Sequence, residues 1–167
     1  MLLNYAGRSC AVYFQLPLWL DAFGTVIAAY KLGPVCGSIV GVAGNIICGI
    51  DRPTDLVYSV TSIAIAVIVG IASKKKKLEN YFEICTVSVI VTFASVVVSV
   101  PLNCLFADGE VGNVWGEGVA SFLYEEFVPD IICIIAGQFY IDFLDKMITI
   151  VSIFSLRRLF IYLRRQG

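Results

Sequence analysis

The sequence predicts an all-α fold, and more specifically a polytopic transmembrane bundle of about five helices. The chain has 167 residues, of which 59% are hydrophobic and only 15% are charged, whereas about a quarter of the residues in soluble domains are charged. The charged residues are clustered, so long uncharged stretches separate them. Several of these stretches approach or reach the roughly 17 to 25 mostly apolar residues that a helix needs to cross a bilayer. The length suits a single domain, residues 1–167.

Five apolar stretches are the candidate membrane helices. Gly33 and Pro34 separate the first two, because Pro cannot continue a helix and Gly supplies a turn. Gly137 is a candidate position for a break in the last one. We expect the helices near residues 16–32, 35–50, 56–72, 84–106 and 131–154.

Residues 107–130 form a predicted outer loop between the last two helices. Its first part is polar and rich in Gly. After that part, apolar residues recur at the spacing of one helix face, at Trp115, Val119, Phe122, Leu123 and Phe127. We therefore expect a short amphipathic helix that lies on the outer surface.

The basic residues predict the orientation in the membrane. With five helices, all the basic clusters fall on one side, and cytoplasmic loops are enriched in Lys and Arg. We therefore expect Lys74–Lys77 and the C-terminus to be cytoplasmic, with most acidic residues on the outer side. The basic residues in question are Lys31, Lys74–Lys77, Arg157, Arg158, Arg164 and Arg165.

The sequence lacks residues and motifs that several kinds of catalytic and metal sites require. The chain contains no His, which is the commonest metal ligand and general base. It contains no GxxxxGK[ST] phosphate loop, so we do not expect this chain to hydrolyse ATP. The net charge of −1 gives no reason to expect nucleic acid binding. We expect no enzyme activity, no cofactor and no metal site, and we expect most of the six Cys to be small buried hydrophobes.

Two rows of small residues suggest close helix contacts. Residues four apart lie on one helix face, and a face without large side chains lets a neighbouring helix approach closely. The rows serve either packing within the bundle or docking of another membrane protein, and the two interpretations are compatible. The rows are Gly33, Gly37 and Gly41, and Ser62, Ala66 and Gly70.

Polar side chains inside the apolar stretches are the candidate functional residues. Charges at membrane depth are costly and usually face a cavity or each other. Asp142 and Lys146 are four residues apart, so they can pair on one helix face. This pair either neutralises itself or contacts a ligand, and the amides either bond between helices or bind a ligand. The polar residues are Asp21, Asn45, Asn103, Gln138, Asp142, Asp145 and Lys146.

Two stretches resemble a known transporter family. From Pro17 to Asn45 the chain reads PLWLDAFGTVIAAYKLGPVCGSIVGVAGN. This resembles the second and third helices of the substrate-binding S components of energy-coupling-factor (ECF) vitamin transporters, where GT, AA and LGP occur at the same spacing. The stretches GNVWGE from Gly112 and IDFLDKMIT from Ile141 are similar to the family's outer loop and to the start of its last helix.

The resemblance implies a fold, partners and a set of site residues. S components normally have six helices, lie in the bacterial cell membrane and have both chain ends in the cytoplasm. They bind a vitamin-like small molecule near the outer face and dock on a transmembrane T component served by two ATPase subunits. This chain differs in that it starts after the family's first helix, since residues 1–15 are too short and mixed to replace it. By analogy, the residues expected at the cavity or its lid are Trp19, Asp21, Asn45, Asn103, Asn113, Trp115, Gln138, Asp142 and Lys146.

Two other functions fit the sequence. The bundle could be a membrane sensory module that precedes a kinase or cyclase domain, with Arg157–Arg165 as the exit into the cytoplasm. It could also be a structural or assembly membrane protein, which would have no cavity at the outer face.

Overall fold

The computed structural model is an all-α bundle, which confirms the predicted fold class. It describes residues 1–75, 78 and 80–166, with the backbone alone described for residues 158–166. No strand occurs within these ranges. The α-helices are α1 (Leu2–Tyr13), α2 (Phe23–Leu32), α3 (Pro34–Asp51), α4 (Ser59–Lys74), α5 (Tyr81–Phe106), α6 (Val114–Glu125) and α7 (Asp130–Gln166), and a 3₁₀ helix, Pro53–Leu56, precedes α4.

Helix α1 lies in residues 1–15, where no helix was predicted, and with 12 residues it is short for a membrane helix. It packs on α2 and α3 through Asn4, which is buried. The Asn4 amide donates to Thr25 Oγ1 at 2.9 Å, and its oxygen accepts from the backbone N–H of Gly24 at 2.6 Å. A side chain at Gly7 would collide with the carbonyl oxygen of Leu20. The helix is therefore held by one amide and a close backbone contact, which an apolar-stretch criterion does not detect.

Helix α2 is shorter than predicted, because it begins at Phe23 and not at Leu16. The preceding residues are non-helical, with positive φ at Gln15 and Leu20. Pro17 disfavours a helical conformation for the residue before it. The predicted turn after α2 is confirmed, since Gly33 has φ 93° and Pro34 is the first residue of α3.

The later helices follow the apolar stretches but differ at their ends. Helix α5 begins three residues before the expected 84, and α7 continues past 154 to Gln166. The candidate break at Gly137 is wrong, because α7 is continuous there. A Cβ on Gly137 would lie 2.5 Å from the carbonyl oxygen of Gly116, so this glycine permits close approach of α6 to α7. The amphipathic helix predicted in the outer loop is α6.

Within the described part of the chain, three segments are long and apolar enough to cross a membrane, namely Pro34–Asp51, Pro53–Lys74 and Tyr81–Phe106. Helix α7 is longer, with 37 residues, but three charged residues interrupt its apolar part. The hydrophobic core lies between α2, α4, α5 and α7 and includes Val26, Ala29, Ile65, Val69, Val91, Ile150 and Phe154.

The two rows of small residues pack within the chain. A Cβ on Gly37 would lie 2.5 Å from the Cβ of Ala29, and one on Gly41 would lie 2.8 Å from the Cβ of Ser62. In the second row Ala66 is fully buried, and a Cβ on Gly70 would lie 2.7 Å from the backbone nitrogen of Pro34. Helices α2, α3 and α4 therefore contact each other through small residues. Because these contacts cover the two rows, another membrane protein cannot dock on them.

Basic side chains meet at one end of the bundle, which we call the basic end. Lys31 is in the last turn of α2, and Lys74 Cε lies 4.0 Å from the position of a Cβ on Gly33. The Arg157 guanidinium lies 5.0 Å from the centre of the Tyr30 ring. Lys76 and Lys77, and the side chains of Arg158, Arg164 and Arg165, are outside the described residues. The cytoplasmic location of this end stays a prediction.

Gly37→Ala is expected to destabilise the bundle by about 1–3 kcal/mol, because the added methyl group has no space beside Ala29. Thermal unfolding of the purified protein in detergent measures this. Gly118→Ala is the matched control, since a Cβ there meets nothing within 4 Å, and this change is expected to stabilise α6 by up to about 1 kcal/mol. Equal effects of the two substitutions would contradict the packing of α3 on α2.

Candidate functional site

A cavity lies at the end of the bundle opposite the basic end, and we call this the cavity end. It leaves about 80 Å³ of space for the centres of water molecules. Its walls come from α1, the non-helical segment before α2, the 3₁₀ helix, the loop after α5 and the adjoining parts of α3, α4, α5 and α7. The lining residues are Arg8, Trp19, Asp21, Asn45, Arg52, Thr54, Asp55, Tyr58, Thr61, Ser62, Ile65, Ser99, Ala107, Glu110, Val111, Gly112, Gln138, Asp142 and Lys146.

Lys146 on α7 lies among three carboxylates in this cavity end, and we call the four residues the ion cluster. Its Nζ atom is 2.6 Å from Asp145 Oδ2, 3.8 Å from Asp142 Oδ1 and 3.9 Å from Asp21 Oδ1. Lys146, Asp142 and Asp145 are at most 3% exposed, whereas the Asp21 side chain is 28% exposed. The expected pair of Asp142 and Lys146 is present, but the shortest contact of Lys146 is with its neighbour Asp145.

Asp145 also holds the non-helical segment before α2. Its Oδ1 atom accepts hydrogen bonds from the backbone N–H groups of Trp19, at 3.2 Å, and Leu20, at 2.7 Å. These bonds satisfy N–H groups that have no helical partner, and they place the Trp19 side chain in the cavity wall. Asp145 was among the polar residues of the last predicted helix but not among the nine expected site residues. Its position next to Lys146, in an otherwise apolar stretch, is the signal that identifies it.

A chain of amide hydrogen bonds connects α4, α5 and α7 behind the cavity. Tyr58 Oη donates to Asn103 Oδ1 at 2.7 Å, and Asn103 Nδ2 donates to Gln138 Oε1 at 2.9 Å. Gln138 Nε2 then donates to Asp142 Oδ2 at 3.0 Å. Tyr58, Gln138 and Asp142 line the cavity, whereas Asn103 lies behind its wall. Asn103 therefore orients cavity residues and does not itself face the space.

Short polar side chains complete the wall formed by α3, α4 and α5. Asn45 Nδ2 donates to Ser62 Oγ at 2.7 Å, and Thr61 Oγ1 lies 3.1 Å from Ser99 Oγ. All four residues line the cavity. Ser62 was expected only as a packing residue, but it also belongs to the cavity wall. Its Cβ packs near Gly41, and its hydroxyl faces the cavity side.

The remaining two expected residues, Asn113 and Trp115, lie over the cavity end and do not line the space. Asn113 Nδ2 donates to the carbonyl oxygen of Leu16 at 3.1 Å, and Trp115 Nε1 donates to that of Gln15 at 2.8 Å. Asn113 Oδ1 also accepts from the backbone N–H of Trp115 at 3.0 Å, which caps α6. We call residues 107–125 the cover, and these bonds join it to the segment before α2.

Charged residues that sequence reasoning missed are found near the entrance. Arg8 Nη2 lies 2.5 Å from Asp55 Oδ2, and both side chains are largely buried. Arg52 and Glu110 line the cavity and are exposed. Arg8 was missed because α1 was not predicted. Asp55 and Arg52 lie between the helices expected near 35–50 and 56–72, and no apolar pattern singles them out.

Other ligand chemistry has less support in the described part of the chain. Among those residues, no three His, Cys, Asp or Glu side chains are arranged to hold a metal ion. All six Cys are free thiols; Cys48 and Cys133 are buried, whereas Cys10 and Cys104 are exposed.

No family model, curated protein or solved structure matches this chain. The resemblance to ECF S components therefore depends on the sequence motifs alone, namely those around Gly24–Pro34, Gly112 and Ile141.

Lys146→Met is expected to destabilise the protein by about 3–5 kcal/mol, because three carboxylates lose the cation beside them. Adding Asp145→Asn is expected to restore part of the loss, since it removes one of those charges and leaves an oxygen for the Trp19 and Leu20 N–H groups. Denaturant or thermal unfolding in detergent measures both variants. Lys74→Met, exposed at the basic end, is the control and is expected to change stability by less than about 0.5 kcal/mol. A Lys146→Met variant as stable as this control would rule out the ion cluster.

Proposed function

We propose that this chain is a membrane-embedded solute-binding protein that captures a vitamin-like small molecule at its cavity end, in the manner of an ECF S component. Uptake then takes place with a transmembrane T component and two separate ATPase subunits. The observation that carries the proposal is a polar, partly charged cavity under a cover, inside a bundle of apolar helices.

The polarity of the cavity favours binding over a purely structural role. Ionisable side chains at membrane depth are expensive and usually mark a pathway or a site. Buried ion pairs can often be replaced by apolar residues without loss of stability. A bundle that only had to be stable would therefore not need Asp142, Asp145 and Lys146 on α7. Ligand sites, by contrast, are concave and combine an apolar wall with a few convergent polar groups.

The cover supports access from the cavity end. It is joined to the segment before α2 by the side-chain bonds of Asn113 and Trp115. Such bonds to backbone carbonyl groups contribute about 1 kcal/mol each, so separating the segment before α2 from the cover is a low-cost motion compared with unfolding of a helix. If the basic end is cytoplasmic, this entrance faces outwards, which is the side from which a nutrient arrives.

A second candidate function is the membrane sensory module, and one feature of α7 favours it. The helix continues without a break for about 13 Å beyond Arg157 at the basic end, as far as Gln166. A single long helix that lines the cavity and continues past the basic end is suited to transmit a change at the cavity to a following domain. A reading frame that continues past Gly167 into a kinase or cyclase domain would favour this function over transport, and a stop codon there would contradict it.

Ligand binding tests the proposed function directly. We expect one member of a panel of water-soluble vitamins and related small molecules to raise the melting temperature of the purified protein, because a ligand that binds only the folded state stabilises it. The measurement is thermal unfolding in detergent, followed by calorimetric titration of each positive compound. The absence of any shift across the whole panel would contradict the proposal.

A pair of variants on α3 links that binding to the cavity. Asn45→Ala removes a cavity amide and is expected to weaken binding of the positive compound about tenfold. Ser38→Ala is the matched control on the same helix, since the Ser38 hydroxyl bonds to the carbonyl oxygen of Pro34 near the basic end. Equal affinities of the two variants would place the binding site elsewhere.

A further inference from the structure

We propose that the solute bound in the cavity is a compact organic cation, such as a quaternary or protonated amine. This inference rests on the proposed function, and it adds the charge and the size of the ligand. It follows from the balance of charges around the cavity, from the aromatic residues in its wall and from its volume.

Acidic side chains outnumber basic ones around the cavity. Three basic side chains line it, against four acidic ones. Asp145 contacts Lys146 from behind and is the fifth carboxylate. Five carboxylates against three basic groups leave a formal excess of two negative charges. The acidic side chains are Asp21, Asp55, Glu110, Asp142 and Asp145, and the basic ones are Arg8, Arg52 and Lys146.

The excess of negative charge is located at Asp21 and Asp142. Arg8 and Asp55 pair with each other near the entrance, and Arg52 and Glu110 are exposed to solvent, where their charges are screened. In the ion cluster, the short contact of Lys146 is with Asp145. The distances from Lys146 Nζ to Asp142 and Asp21, 3.8 and 3.9 Å, are too long for hydrogen bonds. A positively charged group of the solute would neutralise these two carboxylates.

Aromatic residues in the same wall favour an organic cation over a metal ion. Trp19 and Tyr58 both line the cavity. Cations are attracted to the faces of aromatic rings, most strongly to Trp, and quaternary ammonium groups are recognised in this way. Carboxylates and aromatic rings together are the usual surroundings of such a group in a protein.

An anionic solute fits this cavity poorly. Within the described lining, each largely buried basic side chain already has a carboxylate beside it, Asp55 for Arg8 and Asp145 for Lys146. A carboxylate or phosphate group of a solute would therefore meet the excess negative charge of Asp21 and Asp142 without a buried, unpaired basic group; Arg52, which also lines the cavity, is exposed to solvent.

The volume limits the size of the solute in this conformation. The cavity has about 80 Å³ for the centres of water molecules, well above the roughly 10–15 Å³ that is needed to hold a single water. The space therefore holds a small group of waters, which a compact solute such as a small substituted ammonium ion would displace.

Choline and its uncharged carbon analogue, 3,3-dimethylbutan-1-ol, test the inference because they have nearly the same shape and differ in charge. We expect the full chain in detergent to bind choline at least about tenfold more tightly than the alcohol, as judged by calorimetric titration at low salt. Equal binding of the two compounds, or stronger binding of the alcohol, would overturn the cation inference.

Asp→Asn substitutions test which carboxylates are responsible. Asp21→Asn and Asp142→Asn each remove one charge and keep the shape, and each is expected to weaken choline binding about tenfold. Asp108→Asn, at an exposed position in the cover that does not line the cavity, is the matched control and should bind like the unaltered protein. Asp21 is partly exposed, so its substitution leaves the fold intact, which the melting temperature without ligand verifies. Unchanged choline affinity in a folded Asp21→Asn variant would contradict the assignment.

The outcomes separate this inference from the proposed function. Tight binding of an anionic or neutral vitamin from the panel, without binding of choline as the cationic probe, would retain a solute-binding protein and overturn the cationic ligand. No binding of a compound of any charge would overturn both.

Discussion

The ion cluster around Lys146 is the constraint on which the rest of the cavity end depends. Buried charges in an apolar bundle are stable only when each has partners. Here the Asp145 carboxylate pairs with the Lys146 ammonium group and accepts hydrogen bonds from two backbone N–H groups. The Asp142 carboxylate accepts a hydrogen bond from the Gln138 amide. Those two backbone groups belong to Trp19 and Leu20, so the cluster fixes a non-helical segment in place. The same contacts that stabilise the charges therefore also form part of the cavity wall.

Two kinds of helix interface meet at this cavity. Helices α2, α3 and α4 approach each other through small residues, and Gly41 against Ser62 is an example. Helix α5 instead presents a buried polar face along its length. The hydroxyl groups of Ser88 and Thr92 on this face bond to carbonyl oxygens of their own helix, so they are buried at little cost. The small residues bring the backbones together, and the polar face leaves groups free to line a space. The buried polar face of α5 consists of Ser88, Thr92, Ser95, Ser99 and Asn103.

The sequence predicts those features that depend on local pattern. The Gly33–Pro34 turn, the long apolar helices and the amphipathic helix in the outer loop all follow from spacing and composition, and the structure has them. Residues 16–22 look like the start of a helix, and they are not helical, because their N–H groups bond to Asp145, more than a hundred residues away. Helix α1 was missed for a related reason, since the bonds of Asn4 hold it. Spacing also favoured Asp142 as the partner of Lys146, whereas side-chain conformation makes Asp145 the closer one.

The segment before α2 connects the cover to the ion cluster. From above, Trp115 and Asn113 bond to the carbonyl oxygens of Gln15 and Leu16. From below, Asp145 bonds to the N–H groups three to five residues further along the segment. If a solute binds as proposed and neutralises the carboxylates beside Lys146, it changes the charge next to this segment, and the same segment anchors the cover. Under that proposal, occupancy and closure of the cavity depend on one short piece of irregular backbone. A regular helix there, with its N–H and C=O groups bonded to each other, would have offered neither contact.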